Sequence, residues 1–182
     1  MKRIVLAIAV GGALSTVAFV QPHADAVNVE SAGSSLAGLE AVEVVVPTID
    51  ESLFERGITE KVVFAEVQLQ LRRAGIAILD PEHPRAKPAA GNPTLRVEVL
   101  ANVHDRYDQA SFAIAVSLWQ DVKLARYATE KRGGRTYRAQ TWSTGGIGES
   151  GADWRTILRD ELAFYVDQFV GAWQAANPHA TP

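Results

Sequence analysis

The longest uninterrupted alternation along the chain runs from Ser111 to Arg126, SFAIAVSLWQDVKLAR. Phe112, Ile114, Val116, Leu118, Val122 and Leu124 fall on one face of an extended strand, because successive side chains point to opposite sides. Only Gln120 interrupts that row. The other row reads Ala113, Ala115, Ser117, Trp119, Asp121, Lys123 and Ala125, small at first and charged at the end. The pattern predicts a central strand with its apolar row under helices and its second row facing solvent or a partner. A straight run of this length spans about 53 Å, whereas a domain of this size is about 40 Å across. The strand must therefore bend, bulge or overhang, and Gln120 is the place the pattern marks for a register change.

The flanking stretches supply the rest of the domain. Leu39 to Val46 alternates as a first strand, with Val42, Val44 and Val46 on one side and Glu43 and Val45 on the other, and Pro47 ends it. Thr48 to Ile58, with Asp50, Glu51 and Glu55, reads as a solvated acidic turn. Thr59 is placed to cap a helix whose stripe is Val63, Phe64, Val67, Leu71 and Ala74, with Ile58 and Val63 as a hydrophobic staple and Gly75 as the stop. Ile76 to Leu79 is a short strand that completes a β-α-β unit. The four prolines between Asp80 and Pro93 make that stretch a loop. Leu95 to Val103 is a third strand, turned by His104 to Gln109 into the central one, and a hairpin loop from Tyr127 leads to a further strand, Tyr137 to Ser143. Thr144 to Ala152, TGGIGESGA, reads as a flexible linker. Its glycines precede a helix that opens on Asp153 and Trp154 with no lysine, unlike a phosphate-binding loop. Asp153 is placed to cap that last helix, which carries Trp154, Leu158, Leu162, Tyr165, Phe169, Ala172 and Trp173 on one broad stripe and ends at Asn177-Pro178. The predicted order is β-α-β-β-β-β-α, an α+β domain with two helices packed on one face of a mostly antiparallel sheet.

The start of the chain bears on where such a domain works. Lys2 and Arg3, the apolar run Ile4 to Val20 and the small-x-small site Ala24-Asp25-Ala26 predict a signal peptide over 1–26, hence export, periplasmic or secreted. The apolar run is short for a spanning helix, and no membrane insertion is expected after cleavage. Residues 27–37, rich in serine, glycine and small side chains, read as a flexible leader, 38–177 as a single domain, and 178–182 as a tail. With no cysteine in the sequence, the domain relies on its core, and thiolate chemistry is excluded. Removal of Lys2, Arg3 and Asp25 takes the 18 basic and 21 acidic residues of the whole chain to 16 and 20, a net charge of −4. A mildly acidic chain without a basic cluster argues against a nucleic-acid partner.

The run Leu71-Arg72-Arg73-Ala74-Gly75-Ile76, the paired alternating strands, the Thr141-Trp142 pair and the closing aromatic helix resemble a group of small secreted bacterial domains of unassigned function. The element order is similar to that of the N-terminal domain of the Tol-Pal beta-propeller protein and of the curli secretion lipoprotein. That resemblance covers about residues 38–177 and implies a role in the cell envelope. It carries over no functional residue, and the lack of a cysteine departs from the lipoprotein members.

Candidate chemistry is sparse. His104, Asp105 and Asp108 form the local cluster of possible ligands or acid-base groups, but no second histidine stands at ligand spacing, and a polar hairpin turn accounts for them. No catalytic, cofactor or metal residue is assigned. Two functional readings follow. One is a non-catalytic binding or envelope-assembly module that meets a protein partner, or a second copy of itself, through an uncovered sheet face composed of Val45, Leu100, Ala113, Ala115, Trp119 and Trp142. The other is a secreted enzyme with a loop-built site near His104. The competing expectation is that the leader or a hairpin loop folds over this face.

Overall fold

The computed structural model describes residues 35–79, 91–104, 106–123 and 136–179. The expected signal peptide, most of the proline loop, the Tyr127 hairpin loop and Asp105 lie outside these residues. The architecture is α+β, as the pattern predicts: a five-stranded sheet in the order β2-β1-β3-β4-β5 with two long helices on one face. The strands are β1 (Ala41–Val45), β2 (Ala77–Leu79), β3 (Thr94–His104), β4 (Gln109–Lys123) and β5 (Thr136–Ser150), and the helices are α1 (Glu51–Phe54), α2 (Glu60–Arg73) and α3 (Trp154–Ala176). β1 lies parallel to both β2 and β3, while β3-β4 and β4-β5 are antiparallel hairpin pairs.

Local chemistry sets the helix boundaries. The Thr59 hydroxyl accepts from the Val62 amide at 3.3 Å and so satisfies one of the orphan donors of α2, and Gly75 closes the helix with φ 82°. Val63, Val67 and Leu71 are its buried row, and Ile58 is buried beside Val63. The acidic connection before α2 is more structured than a solvated turn. Asp50 caps the single turn of α1 by accepting from the Ser52 amide at 2.8 Å, and Ile49, Leu53 and Ile58 are all buried. Glu60 reaches back to accept from the Ile49 amide at 3.0 Å, which pins the connection against the first turn of α2. Asp153 stands at the N-cap position of α3 but makes no side-chain cap hydrogen bond, contrary to the role its position suggests.

The core lies between the helices and the sheet. α2 packs over β1 and β2, and α3 packs over β4 and β5, with Trp154, Leu158, Leu162, Tyr165, Val166, Phe169 and Trp173 turned inward. Each such side chain contributes about 1.5 to 3 kcal/mol by leaving water. The boundary of the domain falls earlier than residue 38. Leu36, expected in a flexible leader, is fully buried in a helical turn. The Asn177 side chain fastens it, donating to the Leu36 carbonyl at 2.8 Å and accepting from the Gly38 amide at 2.7 Å. The Trp173 indole N–H adds a buried bond to the Leu39 carbonyl at 2.6 Å.

The glycine-rich stretch is not a linker. β5 runs unbroken to Ser150, through Gly145, Gly146 and Gly148, because its pairing with β4 continues from Lys123–Thr136 to Ala110–Ser150. Two of the glycines make room for large neighbours, one in the helix above and one on the adjacent strand. A Cβ on Gly146 would come within 2.2 Å of the Tyr165 hydroxyl oxygen, and one on Gly148 within 2.7 Å of the Phe112 ring.

The register change foreseen near Gln120 occurs between Leu118 and Trp119, and the extra residue is Thr141 on the partner strand. Leu118 pairs with Trp142 and Trp119 with Gln140, leaving Thr141 unmatched. Its hydroxyl donates to the Gln120 side-chain oxygen at 2.7 Å, so the polar residue in the apolar row of β4 serves the bulge.

Candidate interaction surface

Among the described residues no helix lies over the second face of the sheet, which is built from the other side-chain row of each strand, and the registers put its residues in rows across the strands. Leu100, Ala113 and Ile147 form one such row over β3, β4 and β5; Glu98, Ala115 and Gly145 form the next, then Arg96, Ser117 and Ser143, then Thr94, Trp119 and Gln140. In the first of these Leu100 is 63% and Ile147 70% exposed, on either side of a half-buried alanine. Phe54, at the end of α1 and 59% exposed, lines a shallow depression together with Leu100 and Ile49. The result is an apolar band across one end of the open face, from Phe54 through Leu100 and Ala113 to Ile147.

The other end is polar and internally bonded. The Arg138 guanidinium donates to the Asn92 carbonyl, to the Thr94 hydroxyl and, at 3.4 Å, to the Asp121 carboxylate. The Thr94 hydroxyl in turn donates to Glu43 at 3.2 Å, and the Asn92 amide to Asp121 at 2.7 Å. These bonds tie four strands together. Between the two ends the Arg96–Glu98 pair, 2.7 Å apart on neighbouring outward positions of β3, separates the apolar band from Trp119. The Trp119 indole N–H donates to the Ser117 hydroxyl at 3.1 Å and so shields a serine that is otherwise on the uncovered side.

Of the residues expected on one contact surface, Leu100, Ala113 and Ala115 lie together. Val45, half-buried at the end of β1, lies on the same face beside Arg96, and Trp119 lies on it beyond the charged pair. Trp142 does not belong to this face. It pairs with Leu118 on the helix side and stands edge-on to Phe169, ring centroids 5.2 Å apart. The cause is the bulge: one extra residue at Thr141 inverts every later side chain of β5. The same inversion brings Ile147 outward, where the sequence pattern placed no residue.

The acidic groups beside the band are held in their charged forms. Hydrogen bonds from Ser52, side chain and then backbone, keep the Asp50 carboxyl below the ordinary aspartate range, and the Ile49 and Glu60 amides do the same for Glu60. On the helix side, burial raises the Tyr165 phenol above its ordinary value, and the Glu161 charge adds to this. His104 ends β3, exposed, and its carbonyl accepts from the Tyr107 amide at 3.0 Å in a turn where Asp108 takes the left-handed conformation, φ 46°. Among the described residues no group of three or more histidine, aspartate or glutamate side chains is placed to hold a metal, and no helix is long and apolar enough to cross a membrane.

No protein-family model matches the chain, and no curated protein matches it significantly.

Proposed function

We propose that this protein is an exported, non-catalytic binding or assembly module of the cell envelope, which holds a protein partner against the open face of its sheet. The observation that carries this reading is the band Phe54–Leu100–Ala113–Ile147, which sets three large apolar side chains, each more than half exposed, at one end of the sheet. Contiguous exposed apolar surface of this kind is a feature of contact sites. Supporting it, the Arg138 network and the Arg96–Glu98 pair give the band a polar border, the arrangement of an interface with an apolar centre and charged rim. The signal-like start of the chain and the resemblance to envelope-assembly domains support the location.

The test is site-specific photo-crosslinking in the native host. A crosslinker at position 100 or 113 is expected to yield a discrete adduct, and one at Arg72, exposed on α2, none. Equal labelling from all three positions, or none from 100 and 113, removes the reading.

A further inference from the structure

We infer that two copies of this chain pair edge to edge through β5, forming a ten-stranded sheet with both α3 helices on the same face. The edge of the sheet and the flank of α3 form this contact, whatever the open face binds.

The two edges of the sheet differ. β2 is three residues long, whereas β5 is fifteen, and among the described residues nothing pairs with its outer side. Folded proteins blunt such edges with proline, lysine or a bulge. β5 has its bulge at Thr141, where the Ser35 hydroxyl also takes up the Thr141 carbonyl at 3.1 Å. From Trp142 to Ser150 there is no proline and no lysine, and Glu149 is the one charge. Every second residue there aims an N–H and a C=O away from β4, and the ligand those groups accept is an extended backbone.

The flank of α3 above this edge indicates that the backbone belongs to another copy. At 100° per residue, Arg159 and Ala163 lie on the side that meets α2, through the Glu66 carboxylate at 3.5 Å and the Gln70 amide at 3.3 Å. Gln168, which bonds the Thr144 hydroxyl, lies on the β5 side. Beyond it, on the outermost flank, are Phe164, 53% exposed, and Ile157. Neither contributes to the buried row of the helix. α3 packs over β4 and β5 alike; an axis midway between them lies about 2.4 Å inboard of the edge strand at a strand spacing of about 4.8 Å. A two-fold axis normal to the sheet and half a spacing outside β5 then sets the two α3 axes about 10 Å apart, within the usual packing distance. Each Phe164 and Ile157 would be covered by the same flank of its copy, the self-complementarity a two-fold interface needs.

Register agrees with this. Pairing centred on Gly146 sets Glu149 opposite Ser143, so no like charges meet. It also makes the two Ile147 side chains diagonal neighbours, which joins the two apolar bands into one. The footprint is about 30 Å long and about 20 Å deep, of the order of the about 800 Å² per partner found in stable complexes.

Sedimentation of the chain purified from its host, from micromolar to millimolar concentration, tests the pairing. The expected result is twice the monomer mass. Ile147→Lys and Phe164→Glu, both exposed positions, are each expected to halve that mass with unchanged circular dichroism and melting, while Leu100→Glu leaves the dimer intact. Hydrogen exchange should show the 142–150 amides protected in the dimer and exposed on dilution. A monomer at every concentration, or a dimer that neither edge substitution weakens, overturns the inference. Dissociation by Leu100→Glu would move the contact to the open face, and protected β5 amides in a monomer would assign the edge to a segment of the same chain; either outcome also overturns it.

Discussion

The two faces of β4 are made from one stretch of chain with one backbone geometry, yet they behave as different materials. On the helix side Phe112, Ile114, Val116 and Leu118 are buried under α3 and follow the rules of a packed interior, where volume and contact decide everything. On the other side Ala113, Ala115, Ser117 and Trp119 are small or hydrogen-bonded, and the surface is divided into an apolar band, a charged pair and a polar network. The difference shows that burial in this domain is imposed from outside the strand, by which elements arrive on top of it. A face with no helix keeps its apolar groups only where neighbouring strands supply them, as Leu100 and Ile147 do for Ala113.

This contrast can be broken most severely from the covered side. Phe169→Ala removes a fully buried ring that touches Trp142 and is expected to cost about 3 to 5 kcal/mol in chemical denaturation. A midpoint that barely moves would contradict the account of the core. Gly146→Ala places a methyl group against the Tyr165 hydroxyl and is expected to cost about 1 to 3 kcal/mol. Tyr165→Phe in the same chain should recover part of that loss, and a double-mutant cycle showing no coupling would mean that α3 does not lie so close to β5. On the open side Trp119→Ala is expected to cost less, about 1 to 2 kcal/mol, because the indole is only partly buried and its hydrogen bond is to a neighbouring serine. Unfolding of that variant would place Trp119 in the core.

The smallest effect is a pH dependence at the rim of the band. Glu60 and Asp50 have carboxyl groups below their ordinary values of 4.5 and 3.8, so the stability they contribute is complete above those values and is lost as the pH falls below them. Amide exchange at Ile49 should therefore accelerate in acid, and Glu60→Gln should remove most of the acceleration. An acid response unchanged in Glu60→Gln would detach it from this contact.

Most of the fold was legible because side-chain period and helix punctuation agree: the stripe from Val63 to Leu71, the stop at Gly75 and the row from Phe112 to Leu118 all form as the pattern predicts. The second half of β5 was not legible by the same means. Glycine has no side chain to mark either face, so the TGGIGES run carries no alternation, and what makes it a strand is the length of β4 opposite it. A fifteen-residue strand in a hairpin calls for a partner of equal length, a signal present in the sequence but not in the local pattern. Counting faces along β5 from the hairpin places Trp142 outward and Ile147 inward. The extra residue at Thr141 reverses both, and nothing in the local sequence announces which strand of the pair will carry a bulge. Leu36 was obscured in another way, as one apolar residue among small ones whose hydrogen-bond partner, Asn177 at the end of α3, lies 141 positions away.

The clasp around Asn177 has a mechanical and a topological consequence. One side chain holds the Leu36 carbonyl, the Gly38 amide and the Trp173 carbonyl, so the first and last turns of the folded domain are stapled side by side. A pull on the chain from both sides loads these few bonds before any strand of the sheet, which favours peeling at the clasp over shearing of the core. The same closeness lets a short peptide join the two turns, so a circularly permuted chain opened elsewhere on the surface should keep the fold.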